Sequence, residues 1–141
     1  MLIHGSCHCR NLTFALDWRC DPSGIPARAC TCSFCTRHGN VWTSCPTGSL
    51  RVTIADQTLA STYRFGTGTA DFHVCTRCGT VTVASSRIDG HLYAVVSVNA
   101  LDDVDPALLH KTSSDVADEN EAARLARRKR NWIGDVVFVT A

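Results

Sequence analysis

The arrangement of the cysteines constrains this sequence more than any other feature. The chain of 141 residues contains nine cysteines, and all but two of them fall into three short groups. Thiolates at such close spacing are typical ligands of Zn²⁺, which takes four of them in a tetrahedral structural site. The sequence therefore predicts a small zinc protein. The three groups are Cys7-His8-Cys9, Cys30-Thr31-Cys32-Ser33-Phe34-Cys35 and Cys75-Thr76-Arg77-Cys78-Gly79.

A disulfide framework is the competing interpretation of so many cysteines. The first residues, Met1–Gly5, lack the basic and apolar regions of a signal peptide, and no apolar stretch is long enough to span a membrane. We therefore expect a cytoplasmic protein with no membrane partner, in a compartment where thiols stay reduced. If the thiols stay reduced, the isolated Cys20 and Cys45 are buried apolar side chains.

The most informative group is the one that contains Cys75 and Cys78. A Cys-x-x-Cys-Gly turn points both sulfurs to one side, and its glycine accommodates a positive φ. Backbone N–H groups at such a turn favour the thiolate, the form that binds zinc. A thioredoxin-like redox pair would need a βαβ context, whereas the flanks here look like strands. The turn supplies two ligands of a structural site, and Cys7 and Cys9 are the natural candidates for the other two.

The middle group then has three sulfurs, on Cys30, Cys32 and Cys35. Three protein ligands and one open position form the pattern of a catalytic zinc site, where water, a thiol or a carbonyl oxygen takes the fourth position. Counting leaves two alternatives open. The Cys75 pair could instead join two sulfurs of the middle group. The middle group could also be a second structural site, closed by an isolated cysteine or a histidine.

Alternating apolar residues predict a mainly β fold of short strands. Leu12–Trp18 has the period of a half-buried strand. The same pattern predicts strands at Leu50–Ile54, Val81–Val83 and Tyr93–Val98, and Val136–Val139 predicts a final buried strand. Gly, Pro and Ser residues separate these runs, and no linker or repeat interrupts the chain. We expect a single domain over residues 1–141.

One helix is predicted near the C-terminus, capped by Ser114 or Asp115 and ending at about Asn131. Acidic residues come early in this segment and basic residues late, which suits the helix dipole. The basic run Arg124–Arg130 could contact nucleic acid or an acidic partner. The net charge of the chain is only +1, however, and no aromatic stacking platform is evident. We therefore interpret the run as a solvated helix face and expect no nucleic-acid partner.

The three cysteine motifs together resemble the glutathione-dependent formaldehyde-activating enzyme family, which also includes centromere protein V. The resemblance rests on Gly5–Cys9, Cys30–Gly39 and Cys75–Thr80, which follow the family's order at similar spacing. It is weaker beyond Asn99, and the basic C-terminal segment belongs to a subgroup at best.

The resemblance implies a β-tent fold, made of short antiparallel sheets bridged by two zinc ions per chain. The implied activity is that of a carbon–sulfur lyase, the addition of glutathione to formaldehyde to give S-(hydroxymethyl)glutathione. The resemblance also implies which thiols share a metal. The structural zinc would be held by Cys7, Cys9, Cys75 and Cys78, and the catalytic zinc by Cys30, Cys32 and Cys35.

The chemistry of an open three-thiolate site suits a small thiol partner such as glutathione. A thiol that coordinates zinc is deprotonated, and zinc also polarises a carbonyl group. Three thiolates leave the zinc site with a net negative charge, which favours thiol activation over water activation. Arg37 and His38 directly follow the cluster and are the candidate substrate-binding residues, since an arginine would bind a glutathione carboxylate.

The alternative function is a non-catalytic zinc-binding module that contacts a macromolecule through the basic C-terminal helix. This alternative predicts binding that weakens with salt. The sequence gives no prediction of the oligomeric state.

Overall fold

The computed structural model describes residues 1–141 as two β-sheets with two helices. Neither helix has the length or the apolar character needed to cross a bilayer. The helices are α1 (Ser33–His38) and α2 (Glu121–Asn131). The strands are β1 (Leu2–Ser6), β2 (Leu12–Asp17), β3 (Ile25–Cys30), β4 (Val41–Thr43), β5 (Ser49–Ile54), β6 (Ala60–Tyr63), β7 (Asp71–Cys75), β8 (Val81–Ile88), β9 (His91–Ser97), β10 (Leu109–Ser114) and β11 (Asp135–Thr140).

The smaller sheet has the strand order β1-β2-β5-β11, and the larger has the order β10-β3-β4-β9-β8-β7-β6. Most neighbours are antiparallel, as expected, but β10 pairs with β3 and β11 pairs with β5 in parallel. The sequence did not predict these two pairings. They return the C-terminal part of the chain to one edge of each sheet.

The main core lies between the two sheets. The side chains of Phe14, Leu16 and Trp18 are at most 3 % exposed, and they pack with Val83 and Val96 of the larger sheet. Burying each such apolar side chain contributes about 1.5–3 kcal/mol. Because a slip of one residue would turn the apolar set of a strand towards solvent, this core also fixes the register of the strands.

The mainly β class with a C-terminal helix is confirmed, and each predicted strand has a counterpart. The prediction of a buried final strand is wrong. β11 lies at the edge of the smaller sheet, and Val137 on it is 48 % exposed. The short helix α1 was not predicted, because it has only six residues, begins inside the middle cysteine group and shows no apolar period.

The predicted start of the C-terminal helix is also wrong. Residues up to Ser114 form β10 and are held in the larger sheet by β3, so they are unavailable to a helix. Asp115 accepts a hydrogen bond from Ala117 N in the turn that follows. The helix is capped by Asn120, whose side chain accepts from Ala123 N at 2.8 Å. Its predicted end at Asn131 is confirmed.

The two isolated cysteines form a disulfide, which corrects the prediction that they are separate apolar side chains. Cys20 follows β2 and Cys45 follows β4, and their Cα atoms are 5.9 Å apart. Cys45 is fully buried in the core between the sheets, and Cys20 packs against the same core. Sequence spacing could not reveal this bond, because only the folded sheets bring the two connections together.

Candidate functional site

One cluster of thiols joins the N-terminal segment to the turn after β7. The Sγ atoms of Cys7, Cys9, Cys75 and Cys78 all lie within 4.8 Å of one another. Cys9 Sγ is 3.5 Å from Cys75 Sγ and 3.7 Å from Cys7 Sγ. Sulfurs bound to one tetrahedral zinc at about 2.3 Å are separated by about 3.8 Å. The thiols of this four-cysteine cluster therefore fit a single metal ion and would fill its coordination shell.

Two tight turns present these four sulfurs. Gly79 donates from its N–H to Cys75 O at 2.7 Å and has φ 81°, the positive φ that the sequence predicted at this glycine. In the N-terminal turn, Arg10 has φ 68° and donates from its N–H to Cys7 O. Leu12 N donates to Cys7 Sγ at 3.3 Å, so a backbone dipole already points at one sulfur.

Burial and hydrogen bonding give the thiols of this cluster different pKa values. Burial raises the pKa of the Cys7 thiol to about 12, and Cys7 is only 1 % exposed. Burial acts in the same direction on Cys78, but hydrogen bonds with Thr80 and with the backbone of Cys9 bring the pKa of Cys78 down to about 5. The cluster thus favours a thiolate at one position beside a protonated, buried neighbour.

A second cluster forms where β3 passes into α1. Cys30 ends β3, Cys32 caps α1, and Cys35 lies in the first turn of α1. Their three Sγ atoms lie within 4.8 Å of one another. No isolated cysteine and no histidine joins this three-cysteine cluster, so the structure adds no fourth protein ligand of the kinds considered above.

Hydrogen bonds orient the sulfurs of the three-cysteine cluster. Cys35 N donates to Cys32 Sγ at 3.3 Å, which makes Cys32 the N-cap of α1. Trp42 Nε1 donates to Cys35 Sγ at 3.4 Å. The helix ends at Gly39, which has φ 63° and donates from its N–H to Cys35 O and Thr36 O. The capping geometry at the start of α1 thus brings the sulfur of the N-cap close to a sulfur of the first turn.

This cluster also favours a negative charge. The hydrogen bond with Cys35 lowers the pKa of the Cys30 thiol to about 5, and the same bond together with burial raises the pKa of Cys35. A site that stabilises one thiolate beside neutral thiols is suited to a divalent cation, which would draw off the remaining protons.

The three-cysteine cluster opens onto a cavity of about 700 Å³. The cavity lies on the face of the larger sheet that points away from the core between the sheets. Ala84 and Val95 line it, whereas their neighbours Val83 and Ala94 face the core, as side chains on a strand alternate. Its volume falls within the usual range of about 300–1,000 Å³ for sites that bind small molecules. Aromatic side chains supply much of its apolar wall, namely Trp42, Phe65, Phe72 and Trp132.

Helix α2 contributes a row of arginines to the same cavity. Arg124, Arg127, Arg128 and Asn131 all line it, and their spacing of three, four and seven residues places them on one face of the helix. The interpretation of the basic run as a solvated face is therefore wrong for the three arginines of this row. Arg130, outside the row, is exposed. The spacing was visible in the sequence, but the side on which the cavity lies was not.

A carboxylate on the segment before α2 forms ion pairs with two of these arginines. Glu119 accepts from Arg127 Nε at 3.0 Å and has its Oε1 3.6 Å from Arg124 Nε. The bond from Arg127 holds the pKa of Glu119 below its ordinary value. Part of the basic run is therefore neutralised within the fold.

Arg37 and His38 do not line the cavity. Arg37 lies at the end of α1 and donates from Nη1 to Ser33 O on its own helix. The ring of His38 packs against Phe34, with the ring centroids 4.5 Å apart. Both side chains are exposed. The substrate-binding role assigned to them from the sequence stays a prediction.

These features define a mainly β protein with two separate thiol clusters that could each hold a metal ion. The family model of the glutathione-dependent formaldehyde-activating enzyme matches residues 2–116. The chain belongs to this family. The matched range includes both cysteine clusters and ends before α2 begins.

A solved structure agrees with this assignment. The chain is similar to a Rhodobacter sphaeroides protein whose crystal structure is known, with 29 % identity and a TM-score of 0.58. The similarity covers 77 % of this chain and 99 % of that protein. No curated protein matches the chain.

Proposed function

We propose that this protein adds glutathione to formaldehyde at the three-cysteine cluster, as a zinc-dependent carbon–sulfur lyase. A C–S bond forms between the glutathione sulfur and the carbonyl carbon, and the thiol proton ends on the carbonyl oxygen. The product is S-(hydroxymethyl)glutathione. One observation carries the proposal. The three-cysteine cluster converges at the wall of a cavity large enough for a tripeptide, whereas the four-cysteine cluster has its full set of protein ligands.

Each cluster would hold one zinc ion, with a different role. Cys7, Cys9, Cys75 and Cys78 would saturate a structural ion, and Cys30, Cys32 and Cys35 would leave one position for the substrate. Zinc bound there would supply a deprotonated thiol and a polarised carbonyl near neutral pH. The β-tent architecture and the substrate-binding roles of Arg37 and His38 belong to the same proposal.

The protein's own residues prepare the site for this reaction. Trp42 fixes the orientation of the Cys35 sulfur through its Nε1–H. The aromatic wall places apolar surface beside the cluster, and electrostatic interactions are stronger next to apolar surface than in bulk water. Arginines on β3 and α2 make the cavity electropositive and attract an anionic thiol.

The test is the rate of exchange between free formaldehyde and the glutathione adduct, measured by exchange NMR at equilibrium. The adduct also forms without a catalyst, so a rate and not a yield must be compared. We expect the protein to accelerate exchange and the Cys32→Ser variant to lose this acceleration. Serine is a good N-cap, so α1 should persist in that variant. Equal exchange rates with the wild-type protein and with Cys32→Ser would refute the proposal.

A further inference from the structure

Arg128 is a buried cation with no carboxylate partner. Its side chain lines the cavity, yet the residue is only 8 % exposed. Its Nη1 donates to Thr69 Oγ1 at 2.8 Å and to Ser86 Oγ at 3.2 Å, both of which are neutral oxygens. Its Nε is buried without a hydrogen-bond acceptor. The guanidinium also lies over the ring of Trp132, 5.0 Å from the centroid.

The surroundings of Arg128 leave its charge uncompensated. The carboxylate whose charge acts on Arg128 belongs to Glu119, which already forms ion pairs with Arg124 and Arg127. Burial, with a smaller contribution from the charges of Arg127 and Arg124, lowers the pKa of Arg128 to about 10. Arg128 still carries its proton at neutral pH. A buried charge without a partner is costly, so an anion in the cavity would stabilise it.

A second unpaired arginine faces the same space. Arg28 lies two residues before Cys30 on β3, so both side chains leave the strand on the same face. Its Nη1 has one hydrogen bond, to Ser44 Oγ at 3.4 Å, and it makes no ion pair. The cavity therefore combines three thiols with two guanidinium groups that make no ion pair, although the carboxylate of Asp115 also lines it.

We propose that Arg128 and Arg28 form a carboxylate-binding subsite, through which α2 makes the cavity selective for thiols that carry a carboxylate. The inference rests on the proposed function in one respect, namely that the ligand of the cavity is a thiol. It goes further because it assigns ligand selection to a helix outside the range that the family model matches. A hydrogen bond between charged groups changes affinity by roughly 10- to 100-fold, and a bidentate arginine pair adds geometric specificity.

The experiment compares acids with their esters. Zinc-loaded protein is titrated with mercaptoacetate, mercaptopropionate and mercaptohexanoate, each beside its methyl ester, so that several distances between sulfur and carboxylate are sampled. Binding is followed by the fluorescence of Trp42 and Trp132, which line the cavity. We expect at least one acid to bind roughly 10- to 100-fold more tightly than its ester.

The variants assign this preference to a residue. In Arg128→Met we expect the preference to disappear while the esters bind as before, and Arg128→Lys should restore part of it. The matched control is Arg130→Met, which removes the same charge from an exposed position on the same helix and should leave the preference intact. An undiminished preference in Arg128→Met would overturn the proposal.

Two further comparisons keep the test decisive. Circular dichroism and zinc content show whether Arg128→Met folds. If it does not, Arg28→Met and Arg128→Lys test the subsite, and an unchanged preference for the acid in both variants refutes it.

Glutathione is titrated separately. If glutathione does not bind but an acid is preferred over its ester, the proposed function fails and the subsite stands. If glutathione binds and no acid is preferred, the subsite fails and the proposed function stands.

Discussion

The two thiol clusters use the same chemical group in different surroundings. The four-cysteine cluster ties an N-terminal turn to the turn after β7, and two of its cysteines, Cys7 and Cys75, are almost completely buried. The three-cysteine cluster lies where a strand becomes a short helix, and it borders a cavity of about 700 Å³. One cluster connects distant parts of the chain, and the other is built within six consecutive residues.

The difference shows how number and placement of ligands set the role of a metal site. Removing a ligand that joins distant segments releases both segments, so the four-cysteine cluster should control stability. Removing a ligand from a local cluster leaves the two sheets joined by their own core, so the three-cysteine cluster should control ligand binding.

Cys78→Ser and Cys32→Ser form a matched pair, because both thiols are half-buried. Binding of a structural zinc contributes about 10–16 kcal/mol in zinc-finger peptides, so Cys78→Ser should lower the free energy of unfolding by several kcal/mol. Cys32→Ser should lower it by about 1 kcal/mol or less, because serine keeps the cap of α1. Thermal unfolding followed by circular dichroism measures both. Similar losses of unfolding free energy in the two variants would contradict the different roles of the two clusters.

Trp42→Phe removes the hydrogen bond to Cys35 Sγ but keeps an aromatic ring in place. Loss of a group that orients a metal ligand typically weakens metal affinity by about 10- to 100-fold. We expect a loss of about tenfold for the zinc of the three-cysteine cluster alone, measured by competition with a chromogenic chelator. Trp132→Phe, in the same cavity but without a bond to sulfur, is the control. Equal effects of the two variants would contradict the prediction.

Asn120→Ala removes the cap of α2 and should cost about 1 kcal/mol of stability. Helix α2 lines the cavity but contributes no residue to the four-cysteine cluster. The variant should therefore weaken binding of a mercapto acid without changing the zinc content of that cluster. Asp118→Ala, an exposed acidic residue nearby, should have no such effect. Isothermal calorimetry and zinc analysis on the same samples measure the two quantities, and loss of both zinc ions would contradict this division.

The ion pairs of Glu119 should depend on pH in a defined direction. Its pKa is lower in the folded protein than the unfolded value of about 4.3, so the carboxylate stabilises the fold above that value and less as the pH falls through the lower folded pKa. The stability difference between wild type and Glu119→Gln, about 0.5–1 kcal/mol, should be constant from neutral pH to about pH 5 and shrink below pH 4. A difference that grows with acid would contradict the sign.

The sequence predicted features that depend on local spacing. The alternation in Leu12–Trp18 correctly predicted a strand, and the turn around Gly79 has the positive φ that its glycine predicted. Membership of each cysteine group could also be inferred from spacing. The joining of the N-terminal pair to the Cys75 turn could not be decided by counting, and the structure brings those sulfurs together.

The features that the sequence missed depend on contacts between distant residues. The bond between Cys20 and Cys45 and the parallel pairing of β10 with β3 arise only when the sheets assemble. Because residues up to Ser114 pair with β3, α2 begins later than the sequence predicted. The inward direction of the arginine row follows from the side on which α2 packs, and periodicity alone does not give that side.

The most direct test of the contrast between the clusters is the zinc content per chain before and after brief exposure to a mild chelator. We expect two zinc ions that fall to one, with the helix and strand content unchanged, and with the remaining ion lost only on unfolding. A Cys32→Ser sample should begin with one zinc ion and keep it. Two ions that both resist the chelator, or two that leave together, would contradict a closed and an open site.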